Sequence, residues 1–261
     1  MGLQTTHFVS HESIFFKFCD VTYQIRNLPD SLIIPIEFEL KNFYNLKIKA
    51  EHQNVNKEKH FMSDNYQKIV QDNLKKLYDP LPPDLDQRLG ATREENRFLF
   101  DAFGQPCTIG PGRITLGKET ASSILGILIS LYALHAATDI CVPAPFRAFK
   151  EFDGSMPYAG AFVTHTEQVL VPHVMSVKNR LEKISSALKG ENPPADTPGD
   201  IAFVVYPLPK IALCYILYEA DEDFPAAVTC LYSSNANRFM PMDGLADVGE
   251  YTSKKIIDLV T

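Results

Sequence analysis

GDIAFVVYPLPKIALCYILYEADEDFP, residues Gly199–Pro225, holds two apolar runs, Ile201–Tyr206 and Ile211–Tyr218, around Pro207-Leu208-Pro209-Lys210. Neither run alternates apolar with polar positions, so each is read as a strand covered on both faces. The two prolines between them turn the chain back on itself, which predicts a buried hairpin. The second run closes on an acidic knot, Glu219, Asp221, Glu222 and Asp223, followed by Phe224-Pro225. Charge is thus concentrated at one end of an apolar pair of strands. No part of the block declares a reaction.

Working outward, Ala227–Tyr232 reads as a third strand and Leu245–Leu259 as a terminal helix with Asp243 as its cap. Upstream, Gly190–Gly199 is a turn-rich loop, and Thr164–Lys189 reads as one long helix with Pro172 near its start or at a kink. Cys141–Phe162 is a connection punctuated by proline and glycine, with a short helix expected at Pro145–Phe152. Glu119–Ala137 is apolar around most of its circumference and is expected to be a central helix. Phe98–Phe103 and Cys107–Leu116 read as short strands joined by glycine turns. Ser63 or Asp64 opens a helix in which Tyr66, Ile69, Val70, Asn73, Leu74 and Leu77 keep helical spacing. Together these predict an α+β fold: an antiparallel sheet with a C-terminal hairpin packed against several helices.

A seam lies near Met62. Residues 1–61 balance seven basic against seven acidic side chains, so the remainder carries the whole net charge of −7. The reading is a β-rich appendage or extension over 1–61 and an α+β domain over 62–261, with Met62 itself a candidate start. An acidic chain of this kind argues against nucleic acid as a partner, because phosphate binding needs a basic surface. The longest apolar stretch, Ala121–Ala137, is too short and too interrupted by serines to span a bilayer, so no membrane partner is expected. Five scattered cysteines with no C-x-x-C pair point to a reducing cytoplasm and away from structural zinc. Cys214 is expected to act as a small core hydrophobe.

The runs NYQKIVQDNLKKLYDPLPPDL, FDAFGQPCTIGPGRITL and SMPYAGAF, with the GD…PLPK…YEADEDFP block, resemble a prokaryotic family known only as a domain of unknown function. The resemblance covers about Met62 to the C-terminus. It implies an origin among strict anaerobes, and relatives fused to a four-cysteine iron–sulfur domain of the type seen in corrinoid proteins. This chain lacks that cysteine set, so the resemblance implies a redox or corrinoid protein as a separate partner. It supplies no catalytic residues.

Three clusters are candidate sites. Ser155, Tyr158, Gly160 and Phe162, with Thr164 and His165 just beyond, form a small-residue loop before a helix start. There a planar ligand could be approached closely and an anion held. The competing reading is a loop packed across the core with Thr164 as a simple cap. Glu219, Asp221 and Asp223 could bind a hard divalent cation if the strand continues, and otherwise form a solvated strand end that blocks edge pairing. His165 and His173 stand about two helical turns apart, which leaves haem or corrinoid ligation open, and His135 is expected to bond the last carbonyls of its helix. No specific cofactor is indicated, and whether the chain is an enzyme stays open. The leading expectation is a cytoplasmic binding or accessory protein linked to corrinoid or iron–sulfur chemistry. The alternatives are a metal-assisted hydrolytic enzyme using the acidic strand end, or a structural subunit of a larger complex.

Overall fold

In the computed structural model of the chain, residues 65–121 and 124–261 are described. The expected β-rich segment over 1–61 and the Ser63 or Asp64 cap lie outside them. The fold is α+β, and the described residues form two antiparallel sheets rather than one. The first is a five-stranded meander: β1 (Thr92–Glu94), β2 (Arg97–Ala102), β3 (Gln105–Gly110), β4 (Arg113–Leu116) and β5 (Glu119–Thr120). One face of it, with Phe98, Cys107, Ile109 and Ile114, belongs to the main core, and Leu99, Thr108 and Thr115 alternate onto the other. The β2–β3 turn is two residues long, Phe103-Gly104, and both have positive φ (50° and 74°). That geometry suits the right-handed twist of a tight hairpin. A Cβ on Gly104 would lie 2.4 Å from the Ala187 carbonyl oxygen, so only glycine fits.

The second sheet has the order β6-β9-β8-β7, from β6 (Arg147–Ala148), β7 (Ile201–Leu208), β8 (Ile211–Tyr218) and β9 (Ala227–Tyr232). The β7–β8 hairpin expected from sequence is present, with Pro209-Lys210 as its turn and a register shift between Val205 and Leu208. Residues 211–217 of β8 are all buried, as an unalternating run requires. Phe203, Val205, Leu213, Tyr215 and Leu217 join the main core. Val204, Ala212, Cys214 and Ile216 point the other way, into a smaller cluster with Cys141, Phe146 and Leu231. The outer edge of β7 is not bare: Glu191 pairs with Val204 as an isolated bridge, and Tyr206 N–H donates to the Leu188 carbonyl.

The C-terminal helix, Met242–Val260, buries Leu245, Val248, Thr252, Ser253 and Ile256 on its core-facing side. It begins three residues earlier than expected. Asp243 sits inside its first turn, where the carboxylate accepts the Gly244 N–H at 2.8 Å, so it satisfies a free donor from within the helix. The apolar helix is Ile124–His135, not Glu119–Ala137, because Glu119 and Thr120 pair with β4 as strand. Pro145–Phe152 is not a helix. It gives β6 and a single 3-10 turn, Phe149–Glu151. The span Thr164–Lys189 is not one helix either. It runs through a π turn, a 3-10 segment carrying Pro172, and two short helices, Val174–Asn179 and Leu181–Ala187. Proline lacks the N–H needed for a continuous ladder, which is the local cause of the break at 172.

Candidate functional site

The Ser155–Phe162 stretch, expected as a loop, is a helix over Met156–Phe162. Pro157 falls in its first turn, where the missing N–H costs nothing, and Ala159 and Ala161 favour the helical state. Reading the proline and glycine as chain breaks missed this. The segment 154–164, GSMPYAGAFVT, contains no charged residue.

Its inward face is set by helical spacing: Ser155, Ala159, Phe162 and Thr166. Phe162 stacks on Phe149, with ring centroids 4.5 Å apart and planes within 14°, and leans on Tyr232 at 5.8 Å. Ser155 and Thr166 are fully buried, and their hydroxyls have no hydrogen-bond partner among the described residues. Each such orphan costs on the order of 1–3 kcal/mol. The outward face is exposed and apolar: Met156 at 76 %, Val163 at 40 % and Tyr158 at 36 % of full exposure. A Cβ built on Gly160 meets no atom within 4 Å, so the helix surface there is open.

Directly after the helix, Val163–Glu167 forms a π turn. The Thr164 hydroxyl donates to the Gly160 carbonyl at 3.1 Å, competing with the local backbone ladder. π turns are rare and concentrate at functional positions. This one aims Glu167 at the sheet: its carboxylate accepts the Cys230 N–H at 2.9 Å, on the edge of β9 that two-residue β6 leaves uncovered. Ser253 donates to the Thr166 carbonyl at 2.7 Å and lies 3.0 Å from the Tyr215 hydroxyl, so a buried polar seam ties the turn to the terminal helix and β8.

Burial raises the Glu167 carboxyl, with the Cys230 N–H and Lys150 acting in the opposite direction. A carboxyl raised in the folded state holds its proton longer than in the unfolded chain. Its contribution to stability is therefore complete below the ordinary glutamate value and is lost as pH climbs through the raised one. Glu167→Gln keeps an acceptor for Cys230 and removes the charge. Thermal melts across this window are expected to show a falling midpoint for the native chain and a flatter profile for the variant. Equal slopes would show that Glu167 does not titrate there. Asp247 is raised too, chiefly by burial, so the difference between the two profiles is the quantity to read.

The acidic strand end is arranged differently from the expectation. β8 stops at Tyr218, so Glu219 and Asp221 do not share one side of a continuing strand. Glu219 is paired with Lys178, and its N–H donates to Asp200 at 2.8 Å. Asp221 accepts the N–H groups of Asp223 and Phe224, at 2.9 and 2.7 Å, in a tight turn of its own. Asp223 is exposed. Among the described residues no three His, Cys, Asp or Glu side chains converge as a metal-binding group. His165 is exposed on the π turn, while His173 is half-buried at the end of the 3-10 segment. The two-turn spacing argument lapses, because the backbone between them is not a regular α-helix.

Lys210, in the hairpin turn, is buried, and its ammonium donates to the carbonyls of Ala137, Thr138 and Asp139 at 3.1, 3.4 and 2.8 Å. These carbonyls lie just past the Ile124–His135 helix, whereas His135 is exposed and makes no side-chain hydrogen bond to the last helical carbonyls among the described residues. Among the thiols, Cys107, Cys214 and Cys230 are buried. Burial pushes Cys107 up to about 12 and Cys214 up to about 11, which keeps both protonated and unreactive. Cys214 is a core hydrophobe, as expected.

The two sheets and the uncharged helix with its π turn define an α+β domain with an apolar surface helix. The chain belongs to the family described as a domain of unknown function (DUF3786), whose model matches residues 82–255. No curated protein and no solved structure matches the chain. No helix of the described residues is long and apolar enough to cross a membrane.

Proposed function

We propose that the chain is a cytoplasmic binding or accessory protein that docks a protein partner on the exposed side of the Met156–Phe162 helix. The observation that carries this reading is the uncharged stretch 154–164, which holds the surface helix Met156–Phe162 and the start of the π turn, with Met156, Tyr158 and Val163 in solvent. Exposed apolar surface of this kind is costly to maintain and suits a covered interface. Gly160 leaves a gap in that surface, so a facing backbone can approach closely. The π turn fixes the helix against β9 and the terminal helix, which presents the surface preorganised.

The family resemblance, with its iron–sulfur and corrinoid associations, makes a redox or corrinoid protein the partner class to test first. Gly160→Arg puts a long charged side chain into open space, so the native melt is expected to be retained while the partner is lost. The measurement is anaerobic affinity capture from the source cells with both forms in parallel, followed by binding of the captured protein after purification. A partner that binds the native chain and Gly160→Arg equally would sink the reading. So would finding none, with light scattering showing no self-association.

A further inference from the structure

The outward face of the meander sheet carries a feature that the docking helix does not involve. Phe98 pairs with Ile109, which sets Arg97 opposite Gly110, and Gly110 is itself paired with Arg113. Arg97, Gly110 and Arg113 therefore stand abreast on three neighbouring strands, each next to an inward residue (Phe98, Ile109 and Ile114). Two strand spacings separate the arginines, about 10 Å between Cα atoms. Between them the glycine has no side chain, and a Cβ built there would find only the Arg113 carbonyl, at an ordinary 3.7 Å. The space above it is a concavity of about 390 Å³ whose floor includes the cross-strand pair Thr108 and Thr115.

Two like charges facing each other over a gap repel, and a strand glycine forgoes side-chain packing and costs stability. Both costs are offset if an anion sits in the gap. A guanidinium presents a planar fork of donors matched to two oxygens of one group, and two forks with two hydroxyls below suit a tetrahedral oxyanion. Among the described residues neither arginine makes an ion pair, whereas Arg88 and Arg238 do. Arg93, on the neighbouring strand, is occupied by the carbonyls of Glu95 and Pro83. Glu94 pairs in register with Arg97 and is the one carboxylate that competes for it from the same ladder. The Gln71 amide donates to the Gly112 carbonyl at 2.8 Å, which holds the β3–β4 turn in place beside the gap.

We propose that Arg97 and Arg113, across Gly110, bind the phosphoryl group of a small molecule, with Thr108 and Thr115 as additional donors. The site is open to water, so binding weakens as salt rises. The test is calorimetric titration of inorganic phosphate into the whole chain at low ionic strength. Adenosine monophosphate and glycerol phosphate run alongside, to identify what carries the group.

Saturable binding is expected. Arg97→Gln and Arg113→Gln should each weaken it at least tenfold, and Arg97→Lys should lose less. Gly110→Val should abolish it, because an ordinary strand residue fills the gap without straining the backbone. Lys118→Gln, in the neighbouring β4–β5 turn, makes the same change in net charge and should leave the affinity unchanged. Unliganded melts confirm that each variant is folded. The proposal is overturned by non-saturable heat, by equal affinity in all variants, or by acetate or chloride matching phosphate at equal ionic strength.

Discussion

Lys210→Met is expected to lower the unfolding free energy by about 2–4 kcal/mol, read from the denaturant midpoint at unchanged slope. The ammonium takes three carbonyls just past the end of the Ile124–His135 helix, all within 3.4 Å, and lies 5.6 Å from the Phe239 ring centroid. A cation at a helix C-terminus is favourable, and it matters more where water is excluded. Methionine matches the length and apolar body of lysine but leaves three acceptors without a donor. Lys210→Arg keeps the charge and is expected to recover part of the loss. A midpoint shift under about 0.5 kcal/mol for the methionine variant would show that water satisfies those carbonyls instead.

Gly249→Ala tests the seam behind the surface helix. In an exposed helix this change stabilises by about 1 kcal/mol, since alanine has the higher helix propensity. Here the added Cβ would lie 2.6 Å from Phe162 Cε2, 2.8 Å from the Tyr232 hydroxyl and 3.0 Å from Thr166 Oγ1. Overpacking of a buried contact costs about 1–3 kcal/mol, and two of these three neighbours are aromatic rings already stacked or tilted against others. Packing outweighs propensity, so a net loss of about 1–2 kcal/mol is expected. The near-ultraviolet tyrosine signal should shift with it. Pairing the change with Phe162→Leu makes room, and the double variant should be more stable than the sum of the two losses. Simple additivity would mean that the two residues do not press on each other.

The hairpin and β9 could be read from the sequence because their signals are local. Unbroken apolar runs bounded by prolines and acidic residues admit one interpretation, and Ile211–Tyr218 and Ala227–Tyr232 match the expectation at both ends. The errors fall where tertiary contact overrides local preference. Glu119 and Thr120 read as helix but pair with β4, and Phe149–Glu151 is held by rings from other elements. Ser155–Phe162 reads as a loop in the sequence, and the backbone is helical over Met156–Phe162. Pro157 and Gly160 read as punctuation in the string, although one sits in a permissive first turn and the other faces open space. Neither the π turn nor the Arg97–Gly110–Arg113 row can be seen in a linear string. The first depends on where the ladder slips, the second on which strands become neighbours.

The margins of the β6–β9–β8–β7 sheet have a consequence for how copies of the molecule meet in a crowded solution. On one side a two-residue strand and the Glu167 carboxylate take the places where a foreign strand would bind. On the other, Glu191 and the Leu188 carbonyl do the same for β7. The most apolar ribbon of the chain is thereby denied any template for fibril growth while it stays folded.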